Sequence, residues 1–233
     1  MADKDRVPSK TSTDDSLLDF AAPAVVMKVG SLARIFYVNE KLIRGSSDFF
    51  NSAMKREWRQ GCKRVVDLPD HNCEIFNLYV NWLYSGRLPV QHIEESNLMN
   101  NNDKQYHNLF KAYVLGDALL DSDFKDAVVD AIVNEMHIQH QGNVYFFPVR
   151  QIRTFLYNST TSASKLRQLL VQRIARSSNG SELLKEDDDP AFLLDFARAA
   201  MHKDKDKETT ISATARCAFH EHARGKCVRT RFG

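Results

Sequence analysis

The chain has 233 residues, 43% hydrophobic and 10% aromatic, with 32 basic side chains against 30 acidic ones and a formal net charge of +2. That length and apolar content suit one large or two small domains, and the balanced charge exerts no global pull on nucleic acid or acidic lipid. No apolar run approaches the about 18 residues of a helical span, so no membrane partner is expected.

Residues 1–16 carry Asp3, Lys4, Asp5, Arg6, Asp14 and Asp15 and no apolar stretch. They read as a disordered lead and not as a secretory signal. Four cysteines without such a signal point to an intracellular, reducing compartment, cytoplasm or nucleus, and against disulfides. Leu17, Leu18 and Phe20 form an apolar cluster too short to stand alone. It is expected to pack on a neighbour, either this core or a second subunit.

Val25–Val29 and Arg34–Val38 are short apolar runs separated by Gly30-Ser31, the turn chemistry of a hairpin. Asn39 can cap the helix that follows, because its side-chain oxygen can accept an early backbone N–H. Leu42, Phe49, Phe50, Ala53 and Met54 recur there at helical spacing. Gly45, a poor helix former, predicts a break or a close approach within it. Lys63–Leu68 reads as a strand stopped by Pro69. Asn72 caps the next helix, where Ile75, Leu78, Tyr79, Trp82 and Leu83 repeat with the clearest helical period in the chain, and Gly86 ends it.

Residues 94–108, with Asn100-Asn101-Asn102-Asp103, read as a polar surface loop. Leu109, Ala112, Tyr113 and Leu119 mark a helix. Phe124, Ala127, Val128, Ala131, Ile132 and Met136 mark another, capped by Asp121 or Ser122. Three amphipathic stretches follow within residues 144–200. Pro148 opens one with Ile152, Phe155 and Leu156. Leu166, Leu169, Leu170 and Ile174 form the second, ended by Asn179-Gly180. Asp189-Pro190 is a cap and first helical position for the third, with Phe192, Leu193, Phe196, Ala197 and Ala200.

The segments Phe36-Tyr37-Val38-Asn39-Glu40-Lys41-Leu42-Ile43-Arg44-Gly45-Ser46-Ser47-Asp48-Phe49-Phe50, Val66-Asp67-Leu68-Pro69-Asp70 and Phe76 through Leu88 together resemble the BTB/POZ domain, over roughly residues 20–138. Asn39 stands where that family usually has His, and Gly45 where it usually has Ala. Ala112-Tyr113-Val114-Leu115-Gly116-Asp117-Ala118-Leu119 is similar to the fourth-helix signature of the filamentous-fungal members. The resemblance implies an α+β fold, a small three-stranded sheet with a helical cluster over residues 17–138, followed by a helical extension at 144–200. It also implies a protein–protein interaction module that forms homodimers and, in some members, docks a substrate onto the cullin of a ubiquitin ligase. Self, a cullin and an unidentified substrate protein are therefore the expected partners. Leu17, Leu18, Phe20, Leu42, Phe49 and Phe50 are more apolar surface than a small sheet can cover, and are read as the protein-binding residues. At least one of Phe49 and Phe50 fits a second reading equally well, as a member of the domain's own core.

Residues 201–233 hold eight basic side chains against four acidic ones, a local excess of +4. A solvated, flexible tail is the first reading, with the Lys203-Asp204-Lys205-Asp206-Lys207-Glu208 alternation largely self-neutralising. The alternative function is a BTB-mediated oligomeric scaffold or nuclear regulator whose tail touches nucleic acid or zinc, of which nucleic acid is not favoured. Within the tail Cys217, His220, His222 and Cys227 are zinc-ligand types, at a spacing unlike the familiar finger. Zinc is thus a candidate cofactor beside the solvated tail, and no other cofactor is indicated. The chain has no phosphate loop, no His-Glu-x-x-His and no Gly-x-Ser-x-Gly; Cys62 has no sequence-local activating partner, Cys73 lies at the start of an apolar helix, and Asp70-His71 reads as a turn and cap and not as half a triad. An enzyme is not expected.

Overall fold

The computed structural model describes residues 23–58, 64–88, 98–138, 147–177, 180–202 and 216–222. Over these residues the chain is a mixed α+β fold, a three-stranded sheet with eight α-helices.

The strands β1 (Ala24–Val29) and β2 (Arg34–Asn39) form an antiparallel hairpin that pairs Val25 with Val38 and Met27 with Phe36. Gly30 makes the turn possible twice over. Its φ of +75° suits glycine, and a Cβ there would stand 2.8 Å from Cys73 Sγ. The third strand, β3 (Val65–Leu68), lies parallel to β1, giving the order β2-β1-β3. One sheet face, with Val25, Met27, Val29, Val38, Val66 and Leu68, is buried.

The crossover from β2 to β3 carries α1 (Glu40–Ser46) and α2 (Asp48–Trp58). Asn39 caps α1, its side-chain oxygen accepting from Leu42 N–H at 3.1 Å. The helix does not break at Gly45, which has open space where a side chain would sit. It breaks two residues later, at the fully buried Ser47. Ser47 Oγ donates to Leu119 O at 2.6 Å and accepts from Phe50 N–H at 3.2 Å, so it caps α2 and ties it to the far side of the core.

Helix α3 (Cys73–Ser85) starts on Asn72, whose oxygen accepts from Glu74 and Ile75 N–H, and ends on Gly86 in the left-handed conformation, φ 68°. Its Tyr79 and Trp82 rings pack on Phe124, with centroids 4.9 and 5.0 Å away.

Helix α4 (Leu98–Ala118) corrects the reading of 94–108 as a loop. The asparagine run is weak helix-forming sequence, but Tyr106 sits at i, i+3, i+4 and i+7 with Leu109, Phe110 and Tyr113, and all four are buried. Packing of that stripe outweighs propensity. Helix α4 runs against α5 (Ser122–Glu135), and a Cβ at Gly116 would lie 2.8 Å from Lys125 Cγ.

The joint among α1, α3 and α5 is the Asp121 carboxylate. It accepts from Ser46 Oγ at 2.5 Å, Tyr79 Oη at 2.9 Å and Phe124 N–H at 2.9 Å. Burial pushes its pKa from 3.8 up to about 6, against the pull of those three donors.

Beyond residue 147, α6 (Arg150–Ser159), α7 (Lys165–Arg176) and α8 (Pro190–Met201) continue the same hydrophobic core, which runs unbroken from the sheet to Leu156, Leu166, Leu170 and Phe192. Asp189 caps α8 with Pro190 at its first position, as the sequence indicates. Arg153 on α6 makes a forked ion pair with Asp188 at 2.6 and 2.7 Å and donates to Pro148 O and Leu183 O. Both side chains are 3% exposed or less.

Two outcomes test these joints. Folding takes up a proton at Asp121 between pH 3.8 and about 6. This group alone therefore favours the folded state at acid pH, and its contribution, roughly 3 kcal/mol, fades as pH rises through about 6. Asp121→Asn should remove that decline from denaturant-unfolding free energies measured between about pH 4 and pH 7. Arg153→Met leaves Asp188 buried without its cation, and the same measurement at neutral pH should show a loss of about 3–5 kcal/mol.

Candidate functional site

The outer face of the sheet carries Val26, Lys28, Ile35, Tyr37, Val65 and Asp67. Ile35 is 53% and Tyr37 69% exposed, and Leu32 at the hairpin tip is 93% exposed. Among the described residues strand β2 is also a sheet edge. Glu40 N–H donates to Pro23 O, and Asn39 N–H donates to Tyr84 Oη. Ala24 and Asn39 therefore form a pair of the kind not hydrogen-bonded to each other, and so do Val26–Tyr37 and Lys28–Ile35 two and four residues on. The backbone groups of Tyr37 and Ile35 consequently point out of the sheet edge, alongside two exposed apolar side chains.

The residues expected from the sequence to bind a partner fall elsewhere. Leu17, Leu18 and Phe20 lie outside the described residues. Leu42 and Phe49 are half-buried against the core. Phe50 is fully buried, which removes it from any surface. The break at Ser47 turns α2 so that Phe50 enters the core, its ring centroid 5.1 Å from that of Phe49. Leu32, Ile35 and Tyr37 were missed. Their signal is present in the sequence: Ile35 and Tyr37 alternate with Phe36 and Val38, so the strand is apolar on both faces.

The second cluster is C-terminal. Residues 216–222 do not form a flexible tail. Phe219 is 6% and His220 5% exposed, and the segment is fastened to α5. Asp126 accepts from Glu221 N–H at 2.6 Å and His222 N–H at 3.3 Å. Arg216 donates to Asn134 Oδ1 at 2.7 Å and pairs with Asp130 at 3.7 Å. Glu221 accepts from Tyr113 Oη at 3.0 Å and from Lys125 at 3.1 Å. Burial pushes the Asp126 carboxyl up, opposed chiefly by the Glu221 N–H and by His220 and His222.

This fastening brings the ligand atoms of Cys217, His220 and His222 within 4.8 Å of one another. His220 Nδ1 and His222 Nε2 lie 3.1 Å apart, and Asp130 Oδ1 lies 3.5 Å from His220 Nε2. Cys227 lies outside the described residues, as do all the basic residues of 201–233 except Arg216. Asp126 and Asp130, one helical turn apart on α5, were not legible as supports, because their partners are about 86 to 96 residues away in the chain.

No family model and no curated protein sequence matches this chain. No helix among the described residues is long and apolar enough to cross a membrane.

Asp126→Ala should free the 216–222 segment while leaving the core intact. Two hydrogen bonds to a buried carboxylate correspond to about 3–6 kcal/mol, at about 1.5–3 kcal/mol each. Deuterium exchange of the Glu221 and His222 amides, read by peptide mass spectrometry, should accelerate at least roughly hundredfold.

Proposed function

We propose that the chain is a protein–protein interaction module of the BTB/POZ type that self-associates, a second copy docking on the open edge and outer face of the sheet. The observation that carries self-association is the row of Leu32 at the hairpin tip and Ile35 and Tyr37 on a strand edge that is unpaired among the described residues. Edge strands are ordinarily blunted by charge, proline or a bulge. After Arg34, β2 has no charged residue and no proline. An antiparallel edge is self-complementary about a two-fold axis, so the same strand from a second copy can pair with it. Ile35 and Tyr37 of each copy would then form cross-strand apolar contacts.

The element order supports the family assignment. A hairpin, two short helices, a strand parallel to β1 and a capped, aromatic-rich helix follow one another over residues 24–85. An adaptor role, bridging a cullin and a substrate, is part of the same proposal and draws on the family resemblance. Helices α6–α8 extend the same core and are the elements available for it.

Light scattering of the full chain at two concentrations tests self-association. A dimer is expected for the wild type. Two buried side chains of this size are worth about 3–6 kcal/mol, so Ile35→Asp with Tyr37→Asp should raise the dissociation constant at least about hundredfold, with helical circular dichroism retained. A wild type that stays monomeric at the higher concentration would overturn the proposal. A dimer indifferent to this pair but split by Leu42→Asp with Phe49→Asp would move the interface to the helical face.

A further inference from the structure

We propose that Cys217, His220 and His222 are the protein ligands of a zinc site that locks the C-terminal segment onto α5. The inference is independent of self-association. A thiolate and two imidazoles are ligand types that tetrahedral zinc takes. Here all three donors converge within 4.8 Å. Two nitrogens each about 2.0–2.1 Å from one tetrahedral ion stand about 3.3 Å apart. His220 Nδ1 and His222 Nε2 are 3.1 Å apart, so their spacing is within tenths of an ångström of that of two ligands on one ion.

The surroundings are built for that convergence. A 3-10 turn at Cys217–Phe219 folds the thiol back towards the imidazoles, and the buried Phe219 ring anchors it in the core. Asp126 holds the backbone of Glu221 and His222, which sets the second imidazole. On the far side of the His220 ring, Asp130 Oδ1 sits 3.5 Å from Nε2, an ion-pair distance. Nδ1, 3.1 Å from His222 Nε2, is the nitrogen that faces the cluster, and is therefore the ligating nitrogen of His220. Cys217 is half-exposed, so an ion can enter from solvent, and solvent or a further donor can complete the tetrahedron.

Zinc would couple the last described segment to the α4–α5 pair, because its ligands are held by Asp126 and Asp130 and flanked by the Tyr113–Glu221 hydrogen bond. The competing account is a plain His–His hydrogen bond that needs no metal.

Cobalt separates the two. The full chain, without a polyhistidine tag, is stripped with chelator and titrated with Co²⁺. The expected result is a saturable spectrum at a single cobalt per chain, with tetrahedral visible bands and a thiolate-to-cobalt charge-transfer band, both abolished by Zn²⁺. Cys217→Ser should lose the charge-transfer band and Cys73→Ser should keep it. His220→Asn should weaken cobalt binding at least tenfold. Zinc should raise the thermal midpoint of the wild type and leave that of Cys217→Ser unchanged. A stripped wild type with native circular dichroism but no saturable cobalt spectrum would overturn the proposal. So would a charge-transfer band that persists in Cys217→Ser.

Discussion

The Asp121 carboxylate accepts from Ser46, Tyr79 and the Phe124 backbone at once, and so fixes where α1 stops, how α3 lies and where α5 begins. A carboxylate this deeply buried is costly unless its oxygens are satisfied. Three donors from three elements meet that requirement in a single arrangement, and the aromatic packing of Tyr79 and Trp82 on Phe124 surrounds it. The neighbouring Ser47 works in the same joint, reaching Leu119 O on the corner between α4 and α5. The break between α1 and α2 and the corner between α4 and α5 are therefore one structure, although some 72–75 residues separate their members. Moving the break to Ser47 is also what turns Phe50 into the core.

The C-terminal half uses the same device with opposite charge. Arg153 spends its guanidinium on Asp188 and on two backbone carbonyls, with the Phe192 ring 4.9 Å away. Arg167 donates to Tyr157 O and Thr160 O and stacks 4.2 Å over the Tyr157 ring. Such pairs are weak sources of net stability, but breaking one is expensive, so they favour a particular arrangement over its competitors. In the same way Asp126 accepts the backbone of residues 221 and 222 and brings the Cys/His cluster to α5.

These buried polar joints leave different kinds of surface. The inner sheet face and the helical core are closed, whereas the outer face of β2 keeps Ile35 and Tyr37 in solvent with backbone groups aimed outwards. The result is a rigid scaffold with one apolar strand edge that no described residue pairs with. The Cys/His cluster lies on the C-terminal segment that Asp126 holds against α5.

The sequence by itself determined the elements whose signals are local. The hairpin at Gly30, the Asn39 and Asn72 caps, the Gly86 stop, the stripe of α3 and the Asp189-Pro190 start are set by side chains acting within a few residues of themselves. It also named Cys217, His220 and His222 as ligand types from chemistry alone. Tertiary structure decided the rest. Helix formed through the asparagine run because Tyr106 could be buried, and the helix break moved from Gly45 to Ser47 because Leu119 O was there to receive the hydroxyl. Phe50 went inside, Ile35 and Tyr37 stayed outside, and residues 216–222 were drawn onto α5 by Asp126. Each of those choices depends on a partner tens of residues away, and periodicity along the chain carries no information about such a partner.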